Sequence, residues 1–215
     1  MRDEIGVEYF SHVRAEIAPL LPERATAILE VGCGSGATLA WLKTRYPEAR
    51  TTGVEGFPSM EEALRRNADE VVIANLEQPL PPLGQYDLIL ALDVLEHLVQ
   101  PQAVLTKLVE KLAPGGSVIV SVPNVAHVEV AANLLFRRRF RYVEQGILDA
   151  THLRFFTEES ALALMNDAGL RVERGVVNGL GKRRYRWLDN LTLGRFRHSF
   201  VSQYVMLGQP GGAPQ

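Results

Sequence analysis

The run Ile28-Leu29-Glu30-Val31, followed by glycine at 32, 34 and 36, constrains this chain more than any other stretch. Apolar residues interrupted by one acid read as a strand covered on both faces, as in a parallel sheet. The glycines let the backbone turn tightly and approach a ligand closely. A helix expected over 37–46 starts at that turn, so its first amides offer a site for an anionic group. Gly32, Gly34 and Ala37 also fit the relaxed dinucleotide spacing G-x-G-x-x-A, and at this point an NAD(P)-binding oxidoreductase stays open.

The rest of the first half repeats the pattern. Strands are expected at 26–31, 50–55, 70–74, 86–92 and 117–122. Helices are expected at 37–46, at 59–67 behind a Ser59/Glu62 capping box, and at 101–112. Strand–helix alternation argues an α/β fold, a parallel sheet with right-handed crossovers. Ligands of such sheets sit at the C-terminal strand ends. Glu30, Glu55, Asn75 and Asp93 all fall on that rim. Glu55 ends the second strand, where an acid can accept hydrogen bonds from both ribose hydroxyls. Asp93 follows the fourth strand and is read chiefly as a cap for the helix beginning there. Before the sheet, residues 5–17 have a partly apolar helical face stopped by Pro19 and Pro22. That segment is a packing helix or a lid with Tyr9 or His12 reaching inward. After the sheet come a helix over 126–138, a Thr157-capped helix to 168 stopped by Gly169, and two strands at 170–178 and 200–207.

The sequence Glu-Val-Gly-Cys-Gly-Ser-Gly at 30–36 resembles motif I of the class I S-adenosylmethionine (AdoMet) methyltransferases. Asp93-Val94-Leu95-Glu96-His97-Leu98 resembles that family's segment after the fourth strand, and Pro114-Gly115-Gly116 its turn into the fifth. Gly146 to Thr157 resembles a segment of methyltransferase-domain proteins from glycan and natural-product pathways. The resemblance covers 25–122 firmly and 123–207 loosely. It implies a Rossmann-like, doubly wound seven-stranded sheet, mostly parallel with a reversed edge strand, and S-adenosyl-L-methionine as cofactor. Glu30 would help hold the methionine ammonium, and Gly32, Cys33, Gly34 and Gly36 would form the cofactor turn. Glu55, beside Gly56, would take the ribose. Asn75 stands where the family usually has an acid for the adenine amino group, and its side-chain oxygen can still accept. Leu76 would offer an amide and an apolar wall to the ring. Ala91, Leu92 and Asp93 would border the methionine part.

The 215 residues are enough for one α/β domain. The expected division is an N-terminal helix or lid at 1–24, a cofactor core at 25–122, acceptor-side insertions at 123–156 and 179–199, and a tail at 208–215. No apolar run reaches membrane-spanning length and no secretory signal is visible, so the default location is cytoplasmic. Cys33 is the single cysteine. It leaves no internal disulfide, and as part of the cofactor turn it is no candidate for the nucleophile of cytosine-C5 methylation. The histidines and acids show no metal-ligand spacing, so no metal is expected.

Methyl transfer to a hydroxyl gains from a general base, which histidine supplies near neutral pH. His97, His127 and His152 are the candidates, each equally readable as a structural histidine. The favoured acceptor is an oxygen of a small polar sugar or natural-product molecule. A nucleic-acid methyltransferase and a non-catalytic AdoMet-binding subunit are the rivals. Residues 1–129 hold 10 Lys/Arg against 18 Asp/Glu, and residues 130–215 hold 13 against 7. Arg137, Arg138, Arg139 and Arg141 form one basic cluster; Lys182, Arg183, Arg184 and Arg186, with Tyr185 and Trp187, form another. They suit a solvated surface, an anionic acceptor group, or docking on an anionic membrane or acidic partner. The overall net charge of −2 disfavours nucleic acid.

Overall fold

The structure, a computed structural model, describes residues 12–180, 189–190 and 194–211. The second basic cluster, Tyr9 and the 5–11 part of the first expected helix lie outside the described residues. Seven strands form one sheet: β1 (Ala27–Val31), β2 (Arg50–Glu55), β3 (Glu70–Ile73), β4 (Tyr86–Leu92), β5 (Leu112–Pro123), β6 (Leu170–Asn178) and β7 (Gln203–Pro210). Their order is β3-β2-β1-β4-β5-β7-β6. All neighbours pair parallel except β7, which runs antiparallel to both β5 and β6. The reversed strand therefore lies one place in from the edge, and β6 takes the edge itself.

Period-two alternation sends successive side chains to opposite faces of the sheet. Leu29, Val31, Ile89, Ala91, Val118 and Val120 enter one core, roofed by α3 (Pro101–Val109) and α5 (Glu158–Asp167). Ile28, Leu88, Leu90, Leu92 and Ile119 enter the other, beneath α1 (Ala37–Arg45) and α2 (Glu61–Arg65). Covering both faces is what makes these strands continuously apolar. A further helix, α4 (Val128–Arg137), leaves the sheet after β5. Among the described residues no helix is long and apolar enough to cross a membrane.

Four local expectations need correction. The described part of the N-terminal segment has no regular structure at 12–14 and then forms a 3-10 helix, Ala15–Leu20, with Pro19 inside it rather than ending it. Its tighter winding lets Ile17 and Leu20 both reach the second core. The Ser59/Glu62 pair does not cap α2: a 3-10 turn from Pro58 to Met60 leads into the helix, and no side-chain cap forms. Asp93 caps no helix either, because a 3-10 turn at Leu95–His97 follows and Asp93 takes a left-handed conformation at φ 52°. Finally, β5 begins at Leu112 and carries the Pro-Gly-Gly turn within it, with a register shift against β4 between Tyr86 and Leu88.

The turn after β1 depends on a glycine at 32. Its φ is +64°, and a Cβ there would lie 2.6 Å from Val94 Cγ2 and 2.9 Å from Val94 Cβ. Gly32→Ala combines left-handed strain with overpacking, and should cost about 2 kcal/mol or more. Urea unfolding measures this, and a loss below about 0.5 kcal/mol would contradict the packing described.

Candidate active site

The strand ends assemble one acidic rim. Glu55, at the end of β2, is buried and its carboxylate accepts three backbone amides: Gly34 at 2.7 Å, Gly56 at 2.8 Å and Phe57 at 3.0 Å. This ties the glycine turn of β1 to the exit of β2. A carboxylate offers about four acceptor positions, so about one remains for a ligand hydroxyl. Glu30 is buried among the β1 neighbours, and its Oε2 has no hydrogen-bond partner. Burial, with the Glu55 charge adding to it, pushes Glu30 up to about 8, against the opposing pull of Arg14 and a hydrogen bond with Thr38. Cys33 is buried beside these acids; burial, then Glu30 and Glu55, raise its thiol and keep it unreactive.

Arg14 is the rim residue that the sequence reading overlooked. Its guanidinium meets Asp93 Oδ2 at 2.8 Å and Glu16 at 2.5 Å, and donates to Ser121 Oγ at 3.3 Å. Burial works against its charge, but Asp93 and Glu16 outweigh burial and hold it above its ordinary value. Asp93 also accepts from Ser121 Oγ at 2.7 Å and from Gln203 Nε2 at 2.6 Å. The only signal was a lone arginine between Val13 and Ile17. His12 is exposed.

The exit of β3 is simpler. Leu76 is buried just past β3, and Asn75 is exposed with its Oδ1 accepting from the Glu77 amide at 2.9 Å. One lone pair and the amide NH₂ of Asn75 stay free for a ring. Ala91 and Leu92 are buried at the end of β4.

The chain after α4 folds back onto the turn that follows β4. The amides of Leu153 and Arg154 donate to the Glu96 carbonyl at 2.8 and 3.0 Å. This clamp sets the His97 and His152 rings 4.8 Å apart, edge to face. The buried Glu96 carboxylate stands 4.0 Å from His152 Nε2, with its Oε2 unpartnered. Burial, then the Asp93 charge, push Glu96 well above the usual carboxylate range. Burial, then His152, lower His97. His127 is placed differently: it is buried at the N-cap of α4, where its Nδ1 accepts from the Glu129 amide at 3.3 Å.

Doubly wound sheets with this strand order and a glycine turn flanked by two strand-end acids define AdoMet-binding methyltransferase folds. The methyltransferase in a complex with the Haloferax volcanii Trm112 activator superposes with a TM-score of 0.66 at 18% identity, covering 100% of this chain and 95% of that one. Residues 5–174 match the methyltransferase domain family, and the chain belongs to it, with S-adenosyl-L-methionine as methyl donor. A trans-aconitate 2-methyltransferase of Methylobacterium nodulans is 33% identical over 130 residues, 58% of this chain and 48% of that protein. A ubiquinone biosynthesis O-methyltransferase of Rickettsia canadensis is 23% identical over 180 residues, 80% of this chain and 74% of that protein. The chain spans about half the length of the trans-aconitate methyltransferases it matches.

The residues present fit that donor. The orphaned, buried Oε2 of Glu30 is the group an ammonium would satisfy, and the Glu55 rim has an acceptor left for a hydroxyl. When bound, the donor supplies an activated methyl on a sulfonium. Without a cation beside it, Glu30 keeps a proton that the unfolded chain loses above its ordinary value of 4.5. Between pH 4.5 and about 8 the folded state binds more protons than the unfolded, so this group's contribution to stability falls as pH rises. Glu30→Gln removes that titration. Unfolding midpoints of the unliganded variant should drop less between pH 5 and pH 8 than those of the parent. Equal drops would contradict a raised Glu30.

Proposed function

We propose that this chain methylates an oxygen atom on a small polar acceptor. The observation that carries this reading is the His97–His152 pair, held against the turn after β4 next to the Asp93 rim. A hydroxyl acceptor must lose its proton as the new bond forms, and a neutral imidazole suits that near pH 7. His152 Nδ1 lies 3.0 Å from the Ile147 carbonyl, so Nδ1 carries the hydrogen and Nε2 is left as the acceptor. Positioning the acceptor in line with the methyl supplies much of the remaining acceleration.

The basic cluster supports an acceptor that carries an anionic group. Phe155 packs 6.3 Å from His152 and 5.7 Å from Phe140, ring centre to ring centre. In the sequence Phe140 lies between Arg139 and Arg141. A guanidinium offers a paired donor fork to carboxylate or phosphate. Phe140 and Tyr142 also pack edge to face with each other at 5.6 Å. The relatives named above for trans-aconitate and ubiquinone biosynthesis agree with a small organic acceptor.

Transfer of tritiated methyl from AdoMet to fractionated cell extract tests the reading. Label should appear in the small-molecule fraction; label in RNA or DNA, or in no fraction, would contradict it. With the acceptor in hand, His152→Ala should slow turnover by about 10²-fold while S-adenosylhomocysteine affinity is kept. Full turnover in that variant would remove His152 from the chemistry.

A further inference from the structure

We propose that Glu96, His97 and His152 bind a divalent transition-metal ion of the zinc or manganese kind, with an open position for the acceptor oxygen. One ligating atom from each residue lies within 4.8 Å of the others. The Glu96 carboxylate is 1% exposed and its Oε2 has no partner, so a buried oxygen here lacks the group that would satisfy it. Both imidazoles are oriented as metal ligands are. His152 Nδ1 is 3.0 Å from the Ile147 carbonyl, and His97 Nδ1 is 3.3 Å from the Thr151 carbonyl and 3.0 Å from Thr151 Oγ1. The Thr151 hydroxyl donates to Asp149 Oδ1 at 2.6 Å, which leaves its oxygen to accept from His97. Hydrogens fixed on Nδ1 leave an Nε2 lone pair on each ring, and a carbonyl or carboxylate behind the ring is the usual support of a ligating histidine.

Two imidazoles and one carboxylate suit borderline divalent ions better than magnesium or calcium, which prefer all-oxygen sets. Bonds of about 2.1 Å to a tetrahedral ion put its ligands roughly 3.4 Å apart. The 4.0 Å between His152 Nε2 and Glu96 Oε1 therefore needs to close by about half an ångström, within reach of ring rotation. The Glu96 carbonyl, holding the amides of Leu153 and Arg154, keeps the two ligand-bearing segments together without the ion. Sequence spacing conceals the set, because His152 enters from a segment far along the chain. Three protein ligands leave a position open, the arrangement of catalytic rather than structural sites. A hydroxyl bound there loses its proton to solvent more readily, and His152 then acts as ligand rather than as base. This role rests on the acceptor reading above; the binding of metal does not.

The test uses the full chain, stripped with chelator, dialysed and titrated calorimetrically with Zn²⁺, with bound metal counted by elemental analysis. Co²⁺ serves as a spectroscopic probe. One Zn²⁺ per chain is expected, together with visible Co²⁺ ligand-field bands. Glu96→Gln and His152→Ala should each weaken Zn²⁺ by at least about 100-fold. His198→Ala, which alters a surface histidine paired with Glu158, should bind as the parent does. Absence of Zn²⁺ binding by the parent chain, or binding that survives Glu96→Gln and His152→Ala, overturns the proposal. Should those two variants fail to bind S-adenosylhomocysteine and so prove misfolded, Thr151→Val decides. It keeps all three ligands and should weaken Zn²⁺ by about tenfold; unchanged affinity overturns the site. Zn²⁺ binding together with methyl label only in nucleic acid would uphold the site and refute the acceptor reading.

Discussion

Three backbone amides converging on the Glu55 carboxylate hold this rim together. Two come from the exit of β2 and one from the glycine turn after β1, so one side chain fixes two adjacent strand ends relative to each other. Hydrogen bonds to a charged acceptor are stronger than neutral ones, and these are largely shielded from water. That fixed position has an electrostatic cost. Glu30 lies close enough for the Glu55 charge to raise it further, on top of its burial. A buried carboxylate is expensive, and the orphaned Oε2 of Glu30 is the atom that a ligand cation would satisfy. The rim thus favours a ligand bearing an ammonium group over one that is wholly anionic. This distinguishes an AdoMet site from a pyrophosphate site built on a similar turn.

The loop crossing beyond β4 is organised by the main chain as well. The Glu96 carbonyl receives two amides from the segment carrying His152, which brings together side chains supplied by distant parts of the sequence. Asn124 adds to this arrangement. Fully buried, it donates to the carbonyls of His198 and Val201 at 3.1 and 2.8 Å and accepts from the Ala126 amide, fastening the exit of β5 to the chain before β7. Arg14 links the N-terminal segment to the same region through Asp93, and Gln203 of β7 reaches Asp93 from the other side. Asp93 thereby joins the N-terminal segment, β5 and β7 at one point.

Much of the fold could be read in advance where local pattern and burial agree. β2, β4 and β6 occupy the expected residues. Thr157 caps α5 as anticipated, its hydroxyl accepting from the Ser160 amide. Local rules failed where tertiary contacts decide. Asp93 has a cap-forming side chain, but Ser121, Gln203 and Arg14 claim it, and none of the three is near it in sequence. Ser59 and Glu62 have the spacing of a capping box, but Pro58 starts a 3-10 turn first. The glycine turn and its two acids were legible because their chemistry is local. The pairing of His97 with His152, and of both with Glu96, was not, because it depends on a crossing of two loops that no periodicity records.

An AdoMet-type ligand on the rim formed by Glu30, Glu55 and the glycine turn is a matter for direct binding. Calorimetric titration of the full chain with S-adenosylhomocysteine and, separately, with NAD tests it most directly. Saturable one-to-one binding of S-adenosylhomocysteine and no heat of binding with NAD are expected. Binding of NAD without binding of S-adenosylhomocysteine would contradict it.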